Sequence, residues 1–399
     1  MDNWKEIELE EYVEVNPRIS LAKHTLATKV AMECVEPFSK KIARYEIDEY
    51  KGGVKFRNGD TIMARITPSL ENGKTAKVDI LKDDEIGFGS TEFIVLRAKD
   101  GKTDPDFVYY LAVSPELREV AIQSMTGSSG RQRVQTDVVK QFPFLFPPLP
   151  EQKAIAEVLS SLDDKIDLLH RQNKTLEAMA ETLFRQWFVE PARRREIEGG
   201  EADESWEEVK LGQFVFTNSN SIGKSYNQSN IQYLDTGSLN EGNWSPLQHF
   251  NLSDAPSRAK RLTKHNNILY STVRPNQLHY GLVRNPADNL VVSTGFCVIH
   301  CDTISTYFVY YLLIENGMVQ YLHSIAEGST SAYPSLKPSD LEAVEFLLPP
   351  EIELTKYHKI VDSYWDKIDY NYNQIQTLTN LRNTLLPKLM SGEVRVKMN

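Results

Sequence analysis

The feature that most constrains this chain is a long stretch without helix breakers that follows a proline-rich start. The start reads Pro147-Pro148-Leu149-Pro150-Glu151-Gln152, and from 153 to 189 neither proline nor glycine occurs. Apolar side chains recur along this stretch at alternating steps of four and three residues. This spacing predicts a long helix with an apolar seam, as in a coiled coil. Proline suits the first turn of such a helix, because N–H groups there have no partner within the helix.

A second long helical stretch occurs later in the chain, and it is a candidate packing partner for the apolar seam of the first. The second stretch begins at Pro349-Pro350-Glu351, and Asp164-Lys165-Ile166-Asp167 recurs as Asp366-Lys367-Ile368-Asp369. One long surface helix packed on its own domain is the alternative, but two apolar seams favour pairing of the two helices. We expect an antiparallel coiled coil in which a buried Asn fixes the register at some cost in stability. The predicted seam and partner-contact residues are Ile155, Leu159, Leu162, Ile166, Leu169, Asn173, Leu176, Leu183, Tyr357, Val361, Ile368, Ile375, Leu378 and Leu385.

The repeat extends beyond the helices. The run Trp4-Lys5-Glu6-Ile7-Glu8-Leu9 returns as Trp206-Glu207-Glu208-Val209-Lys210-Leu211, and Phe107-Val108-Tyr109-Tyr110-Leu111 returns unchanged from Phe308 to Leu312. Gly127-Ser128-Ser129 corresponds to Gly328-Ser329-Thr330. The intervening residues diverge, so we expect two half-molecules that share a scaffold and differ in surface.

Turn residues and charge divide the chain further. The predicted boundaries are a domain at 1–150, a helix at 151–190, a linker at 191–205, a second domain at 206–348, a second helix at 349–392 and a tail at 393–399. The first domain contains strand-like runs at 54–56, 61–66, 92–97 and 142–146, and a helical run at 105–117. This mixture predicts an α+β fold with mixed or antiparallel, barrel-like sheets.

The order of these motifs resembles a known family. The chain resembles the specificity (S) subunit of a type I restriction-modification system. The shared order is a variable domain, a Pro-Pro-Leu-x-Glu-Gln helix, a second variable domain and a second helix. Other matching runs are Gly59-Asp60-Thr61-Ile62, Leu183-Phe184-Arg185-Gln186-Trp187-Phe188-Val189 and Leu389-Met390-Ser391-Gly392-Glu393-Val394. The second helix departs from the pattern, because Glu351-Ile352 stands where Glu-Gln is expected.

That resemblance implies a function and partners. The two domains would be target-recognition domains that read a bipartite site in double-stranded DNA, and the paired helices would be spacers. Two methyltransferase (M) subunits and restriction (R) subunits would be the protein partners. This chain would be non-catalytic and would hold no cofactor, since S-adenosylmethionine, ATP and Mg are expected in the partner subunits.

Composition bears on the cellular compartment, on metal binding and on DNA binding. The sequence contains no run of 18 apolar residues, so it indicates no membrane span. The three cysteines provide no disulfide framework, so we expect a reduced cytoplasm. The sequence Cys297-Val298-Ile299-His300-Cys301 lies in a strand-like run without a second ligand pair, and we expect no metal there. A net charge of −10 does not exclude DNA binding, because the local field decides it.

Polar loops supply the candidate DNA-binding residues. Arginine pairs with guanine and Asn or Gln with adenine in the major groove, and Gly-Ser backbone permits close approach to phosphate. Each loop taken singly is also consistent with a solvated loop, and His279 with the edge of a sheet. The candidates are Lys40, Lys41, Arg44, Arg65, Thr67, Asn72, Lys74, Ser128, Arg131, Arg133, Lys224, Arg258, Lys260, Arg261, Arg274, Asn276, Gln277, His279, Ser329, Thr330 and Tyr333.

Catalytic motifs of related systems are not found. Neither Pro-Pro pair lies in an adenine-methyltransferase motif, and neither Gly73-Lys74-Thr75 nor Gly223-Lys224-Ser225 has the earlier glycine of a P-loop. A DNA-binding specificity subunit is therefore the leading hypothesis. A non-enzymatic protein–protein interaction scaffold with paired helices is the alternative, and a cryptic enzyme ranks last.

Overall fold

The chain forms two units, each of which includes part of both long helices. The computed structural model describes residues 3–193, 206–224, 226–329 and 333–397. Unit 1 comprises Met1–Arg171 together with Tyr372–Asn399, and unit 2 comprises Gln172–Asn371. The first long helix, α5, spans Leu149–Phe184, and the second, α9, spans Glu351–Met390. A π-helical turn at Arg185–Val189 follows α5.

The remaining elements of unit 1 are short. Its strands are β1 (Lys5–Glu8), β2 (Val13–Val15), β3 (Leu26–Val30), β4 (Glu46–Glu49), β5 (Val54–Phe56), β6 (Thr61–Ala64), β7 (Thr75–Lys77), β8 (Gly87–Gly89), β9 (Phe93–Ala98) and β10 (Pro143–Phe146). Its short helices are α1 (Leu9–Tyr12), α2 (Pro105–Val113), α3 (Pro115–Gln123) and α4 (Thr136–Lys140).

Unit 2 has corresponding elements. Its strands are β11 (Glu207–Lys210), β12 (Val215–Thr217), β13 (Asn230–Leu234), β14 (Leu239–Asn240), β15 (Asn243–Trp244), β16 (Gln248–Asn251), β17 (Ala259–Leu262), β18 (Ile268–Ser271), β19 (Tyr280–Leu282), β20 (Leu290–Ser293), β21 (Phe296–Cys301) and β22 (Glu345–Leu348). Its short helices are α6 (Thr306–Ile314), α7 (Asn316–Glu327) and α8 (Pro338–Glu342).

The sheets of the two units have the same topology. Strand order β2-β9-β6-β7 in unit 1 corresponds to β12-β21-β18-β19 in unit 2, and β4-β3-β8-β5 corresponds to β16-β13-β20-β17. In the latter pair of sheets the central strands, β3 with β8 and β13 with β20, run parallel while their neighbours are antiparallel. The predicted α+β fold with mixed sheets is confirmed, and the sequence repeat is a structural repeat. The β14–β15 hairpin belongs to unit 2.

One predicted helix of the first domain is broken. The run 105–117 was expected to be continuous, but α2 ends at Val113 and α3 begins at Pro115. Ser114 between them is extended, because a residue before proline avoids the helical region. Its hydroxyl also accepts from the N–H of Leu117 and so caps α3.

Segments of the two long helices pack antiparallel in unit 1. Ile155 and Leu159 of α5 share an apolar cluster with Leu386 and Leu389 of α9. Farther along α5, the buried carboxylate of Asp163 lies 2.7 Å from the guanidinium of Arg382. Residue numbers rise on α5 as they fall on α9, so the packing direction is antiparallel. The side chains of Asp163 and Arg382 are 8% and 13% exposed, so a charged pair lies within a largely apolar seam.

The packing in unit 2 has the same direction. The side-chain amide of Asn371 donates to the Asn173 side-chain oxygen at 2.8 Å, and both residues are buried. The Tyr357 hydroxyl donates to the carbonyl of Ala180 at 3.5 Å. The predicted antiparallel pairing of the helices is therefore confirmed within each unit.

Burial along the seam follows the prediction with one local shift. The fully buried members of the predicted set are Ile155, Leu159, Leu169, Asn173, Tyr357, Val361 and Ile368. The half-buried members are Leu162, Ile166, Leu176, Leu183, Ile375, Leu378 and Leu385. Next to Leu162 and Leu183, it is Asp163 and Phe184 that are fully buried.

The repeated Asp-Lys-Ile-Asp run docks each globular part on a long helix. In unit 1, Lys41 lies 3.2 Å from Asp167 and 3.6 Å from Asp164. In unit 2, Arg284 lies 2.7 Å from Asp369 and 3.3 Å from Asp366. The two carboxylates one helical turn apart thus bind a cation from the globular part of each unit.

Candidate nucleic-acid interface

In unit 1, the loop after β6 and the Gly-Ser loop are joined through their backbones. The N–H of Thr67 donates to the carbonyl of Gln132 at 3.0 Å, and the N–H of Val134 donates to the carbonyl of Arg65 at 2.8 Å. Ile66 and Arg133 form an isolated bridge between these hydrogen bonds. We name these segments, 65–74 and 126–134, loop pair 1.

Unit 2 repeats this arrangement at the corresponding positions. The N–H of Arg274 donates to the carbonyl of Pro334 at 3.0 Å, and the N–H of Leu336 donates to the carbonyl of Thr272 at 2.7 Å. Val273 and Ser335 form the bridge. We name residues 272–279 with 328–336 loop pair 2. The structure therefore brings together two segments of each half that lie far apart in sequence.

Loop pair 1 contains a compact charged group. Arg133 donates from Nε and Nη2 to the carboxylate of Glu92 at 3.0 and 2.6 Å, and Arg65 lies 4.0 Å from the same carboxylate. Hydrogen bonding from Arg133, together with its charge, holds the pKa of Glu92 below its usual value. Two of the predicted DNA-binding arginines thus share one acid, which partly neutralises them.

Other predicted residues of loop pair 1 are accessible. Asn72, Ser128 and Arg131 are exposed, and the N–H of Arg131 donates to the carbonyl of Ser128 at 3.0 Å. Within the part of the chain that the structure describes, Arg131 forms no ion pair. The Thr67 hydroxyl lies 3.3 Å from the sulfur of Met125. Arg131 is thus a cation of this loop pair whose charge no described acid neutralises.

Loop pair 2 has a different side-chain arrangement on the same backbone. The guanidinium of Arg274 lies 4.8 Å from the ring centroid of Tyr333, which is 59% exposed. Gly295 takes the place that Glu92 has in unit 1, since its carbonyl accepts from the N–H of Thr272 as that of Glu92 does from Arg65. The corresponding acid is therefore absent, and the cation stacks on an aromatic ring instead.

The turn after Arg274 presents two amides. Asn276 and Gln277 are exposed on a short turn flanked by Arg274 and Leu278, which both have positive φ. The ring Nδ1 of His279 lies 2.6 Å from the carbonyl of Leu239, at the start of the β14–β15 hairpin. This contact gives His279 a role in holding the hairpin beside the loop pair.

Further predicted cations lie in β17 and near it. Arg258, Lys260 and Lys224 are exposed, and the N–H of Thr294, next to Gly295, donates to the carbonyl of Arg258 at 2.9 Å. Arg261 is half-buried and lies 3.4 Å from the hydroxyl of Ser221. The chain thus places Arg258 close to loop pair 2.

Part of the Gly-Ser loop of unit 2 is outside the described residues. Ser329 is half-buried, and its hydroxyl lies 3.4 Å from that of Ser335. Thr330, a predicted DNA-binding residue, lies outside the residues that the structure describes, as do positions 194–205 of the predicted linker.

The predicted basic cluster near residue 40 is engaged within unit 1. Lys40 is 11% exposed and lies 2.7 Å from Asp106 of α2 and 2.7 Å from the hydroxyl of Ser160 on α5. Burial alone would raise the pKa of Asp106, but Lys40 and Lys77 outweigh it and hold that pKa below its usual value.

The neighbouring cations also have partners in unit 1. Lys41 docks on α5, and Arg44 pairs with Glu36 at 3.3 Å. Lys74 donates to the carbonyl of Met32 at 2.9 Å. These contacts give Lys40, Lys41 and Lys74 structural roles within unit 1.

Sequence reasoning missed two residues that the structure makes prominent. The sequence places Glu92 at the start of a strand-like run, and its proximity to Arg65 and Arg133 depends on long-range pairing. Arg284 carries no local motif. The repeated Asp-Lys-Ile-Asp run was a usable signal for a docked cation, because it presents two carboxylates on one face of a helix.

Other kinds of site are not supported among the described residues. No group of three or more His, Cys, Asp and Glu side chains there is arranged to hold a metal ion. The same residues contain no helix long and apolar enough to cross a membrane. Burial raises the pKa of the Cys297 and Cys301 thiols to about 12.

Comparisons with known proteins agree with this description. Residues 1–178 match the family model for the type I restriction modification DNA specificity domain. The type I restriction enzyme MjaIX specificity subunit of Methanocaldococcus jannaschii is 28% identical over 318 residues, which span 75% of this chain and 71% of that protein. A putative MjaX specificity subunit of the same organism is 24% identical, over 85% of this chain and 79% of its own length.

A solved structure supports the fold. The S subunit of a type I restriction-modification system from M. genitalium matches with a TM-score of 0.55 at 17% identity, over 100% of this chain and 97% of that one. The resemblance drawn from the motifs is thus confirmed. Residues 1–178 thus match a type I restriction modification DNA specificity domain, and three quarters of the chain is similar to a type I specificity subunit.

Proposed function

We propose that this chain is the sequence-specific DNA-binding subunit of a restriction-modification complex, and that each loop pair reads one half of a bipartite site. The observation that carries the proposal is the repeated loop pair. Its backbone hydrogen bonds are the same in both units, from Thr67 to Gln132 and from Arg274 to Pro334, while the side chains differ. A constant frame with different donors and acceptors suits two readers of different base sequences.

Electrostatics supports a localised interface. The net charge is −10, so DNA attraction has to come from local cations. Arg131 in unit 1 and Arg274 with Arg258 in unit 2 supply them at the loop pairs. Partner subunits would add further phosphate contacts.

The proposed partners and cofactors are those expected from the resemblance to type I specificity subunits. The chain itself is non-catalytic and directs methyltransferase and restriction subunits to the site. Two M subunits, one for each unit, are part of the proposal because two similar surfaces can bind two copies of one partner. S-adenosylmethionine, ATP and Mg would act in those partners, and the complex would work in the cytoplasm.

Sequencing of methylated sites tests the function. The chain is co-expressed with its methyltransferase subunit in a host without other modification systems, and methylated positions are mapped across the genome. The proposal predicts one bipartite motif with an unread spacer of fixed length. A complex that assembles and yields no motif, and whose DNA binding shows neither site preference nor salt dependence, would support the protein-interaction scaffold instead.

A further inference from the structure

Glu92 is a carboxylate inside a surface proposed to bind DNA, which is an unfavourable place for it by charge alone. Its side chain is 23% exposed and lies between Arg65 and Arg133. A phosphate-binding surface gains nothing from an acid that neutralises its cations. The position therefore calls for a role other than phosphate attraction.

Closing the loop does not require the Glu92 carboxylate. Loop pair 1 is held by backbone hydrogen bonds between Thr67 and Gln132 and between Val134 and Arg65. The backbone of Glu92 is also bonded, because its carbonyl accepts from the N–H of Arg65 and its N–H donates to the Ser90 hydroxyl. Unit 2 forms the same backbone pattern with Gly295 at this position.

The two units differ in the space available for a side chain at this position. A Cβ atom at Gly295 would lie 2.7 Å from the methyl group of Thr236, so unit 2 leaves no room for a side chain without local rearrangement. Unit 1 has both the space and the acid. The difference falls at the centre of the loop pair, where readers of different sequences should differ.

The geometry of the ion pair leaves both partners able to bind a base. Arg133 uses Nε and Nη2 on Glu92, whereas its Nη1 has only a 3.5 Å contact to the carbonyl of Arg131. A carboxylate offers about four lone-pair positions, so Glu92 retains acceptor capacity. The pair fixes the guanidinium in one orientation, as a bidentate arrangement does.

We propose that Glu92 is a specificity-determining residue, and that with Arg133 it reads one base pair in the major groove of the half-site bound by unit 1. The carboxylate accepts a hydrogen bond from an exocyclic amino group, which cytosine (N4) and adenine (N6) present there. Arg133 donates to the neighbouring purine acceptor. This inference rests on the proposed function.

The test compares Glu92→Gln with wild type in complex with the methyltransferase subunit. Asp48→Asn is the matched control, because it also removes one negative charge in unit 1 and an ion pair, with Lys29 at 2.7 Å. Once the wild-type motif is known, each complex is titrated with duplexes that carry all single-base changes in both half-sites. Non-specific DNA is titrated over a range of salt concentrations.

The expected result has two parts. Glu92→Gln loses about tenfold in discrimination at a single C or A position of one half-site, and keeps its preference in the other half-site. Its non-specific binding strengthens, with a slope of log K against log salt steeper by up to about 0.9. Asp48→Asn keeps full discrimination. The base at the relaxed position tells whether the amino group belongs to cytosine or to adenine.

Other outcomes overturn the inference and separate it from the proposed function. If Glu92→Gln keeps full discrimination, or loses binding to every duplex while remaining folded, Glu92 is not a reader. The other positions of the same half-site report the folding of unit 1, since unit 1 must be intact to retain its preference there, and circular dichroism reports it when binding is lost. If wild type itself shows no site preference, the proposed function fails and the inference fails with it.

Discussion

The guanidinium of Arg274 lies 4.8 Å from the ring centroid of Tyr333, and this pair joins the two segments of loop pair 2. In loop pair 1 the corresponding positions are Thr67 and Arg131, so the cation is on the other segment. At this pair of positions, the same backbone frame therefore carries its cation on a different segment in each unit. Under the proposed function, we expect this exchange to change the recognised bases without changing the fold.

Replacement of Tyr333 by Leu removes the ring that orients Arg274. We expect binding to weaken by about 0.5–1 kcal/mol, because exposed cation–π contacts are of this size. The loss should depend on the half-site bound by unit 2 and not on the half-site bound by unit 1. Fluorescence anisotropy of the complex measures it. Tyr321→Leu, at another exposed tyrosine of unit 2, is the control and should bind as wild type.

Variants of Lys40 and Arg131 should distinguish a structural cation from one at the DNA surface. Arg131→Met should reduce the salt slope of DNA binding by up to about 0.9, because a cation at the DNA surface displaces counterions, and should leave stability nearly unchanged. Lys40→Met should leave the slope unchanged and lower the free energy of unfolding by about 1.5–3 kcal/mol, since it removes hydrogen bonds to Asp106 and Ser160. Salt titrations and chemical denaturation give both quantities. Equal effects of the two variants on the slope would show that Lys40 also faces DNA.

The buried amide pair of the helices should behave as a coupled unit. Each Asn has one side-chain atom without a partner, Nδ2 of Asn173 and Oδ1 of Asn371, beyond the 2.8 Å bond between them. Asn371→Leu should cost about 1–3 kcal/mol, because it leaves the amide of Asn173 buried and unpaired. The double variant with Asn173→Leu should recover most of this loss. Denaturation of all four proteins gives the coupling energy, and additive losses would argue against a paired role.

The two carboxylates that bind Arg284 offer a matched comparison. Asp369 is 14% exposed and Asp366 is 70% exposed, and both contact the same guanidinium. Asp369→Asn should destabilise unit 2 by about 3 kcal/mol, since it leaves a nearly buried cation with a weaker partner. Asp366→Asn should cost less than about 1 kcal/mol, as exposed ion pairs do. Similar losses for the two variants would contradict docking through Asp369.

Much of the fold could be predicted from the sequence, because the helix periodicity is a local signal and the internal repeat is extensive. The helix spacing and the Asp-Lys-Ile-Asp run predicted paired helices, and the mixture of short strands predicted mixed sheets. The seam at Asp163 was not predictable, since its burial depends on Arg382 and on the hydroxyl of Tyr110, 2.7 Å away. A break at Ser114 was encoded by Pro115 and was missed.

Only part of the candidate DNA interface could be predicted from the sequence. Arginines and Gly-Ser loops are visible in sequence, but their partners are set by long-range pairing. Lys40 and Arg131 look alike as isolated cations, and only the fold separates a lysine held between α2 and α5 from an arginine exposed in a loop. Glu92 gained its importance from Arg133, 41 residues away.

The most direct test of the account is the methylation motif of two single variants. Arg131→Ala and Arg274→Ala are each co-expressed with the methyltransferase subunit, and methylated sites are sequenced. The account predicts that Arg131→Ala relaxes bases in one half of the motif and Arg274→Ala relaxes bases in the other, each by about 1–3 kcal/mol of discrimination for a base contact. Relaxation of the same half by both variants, or an unchanged motif for both, would contradict reading of separate half-sites by the two loop pairs.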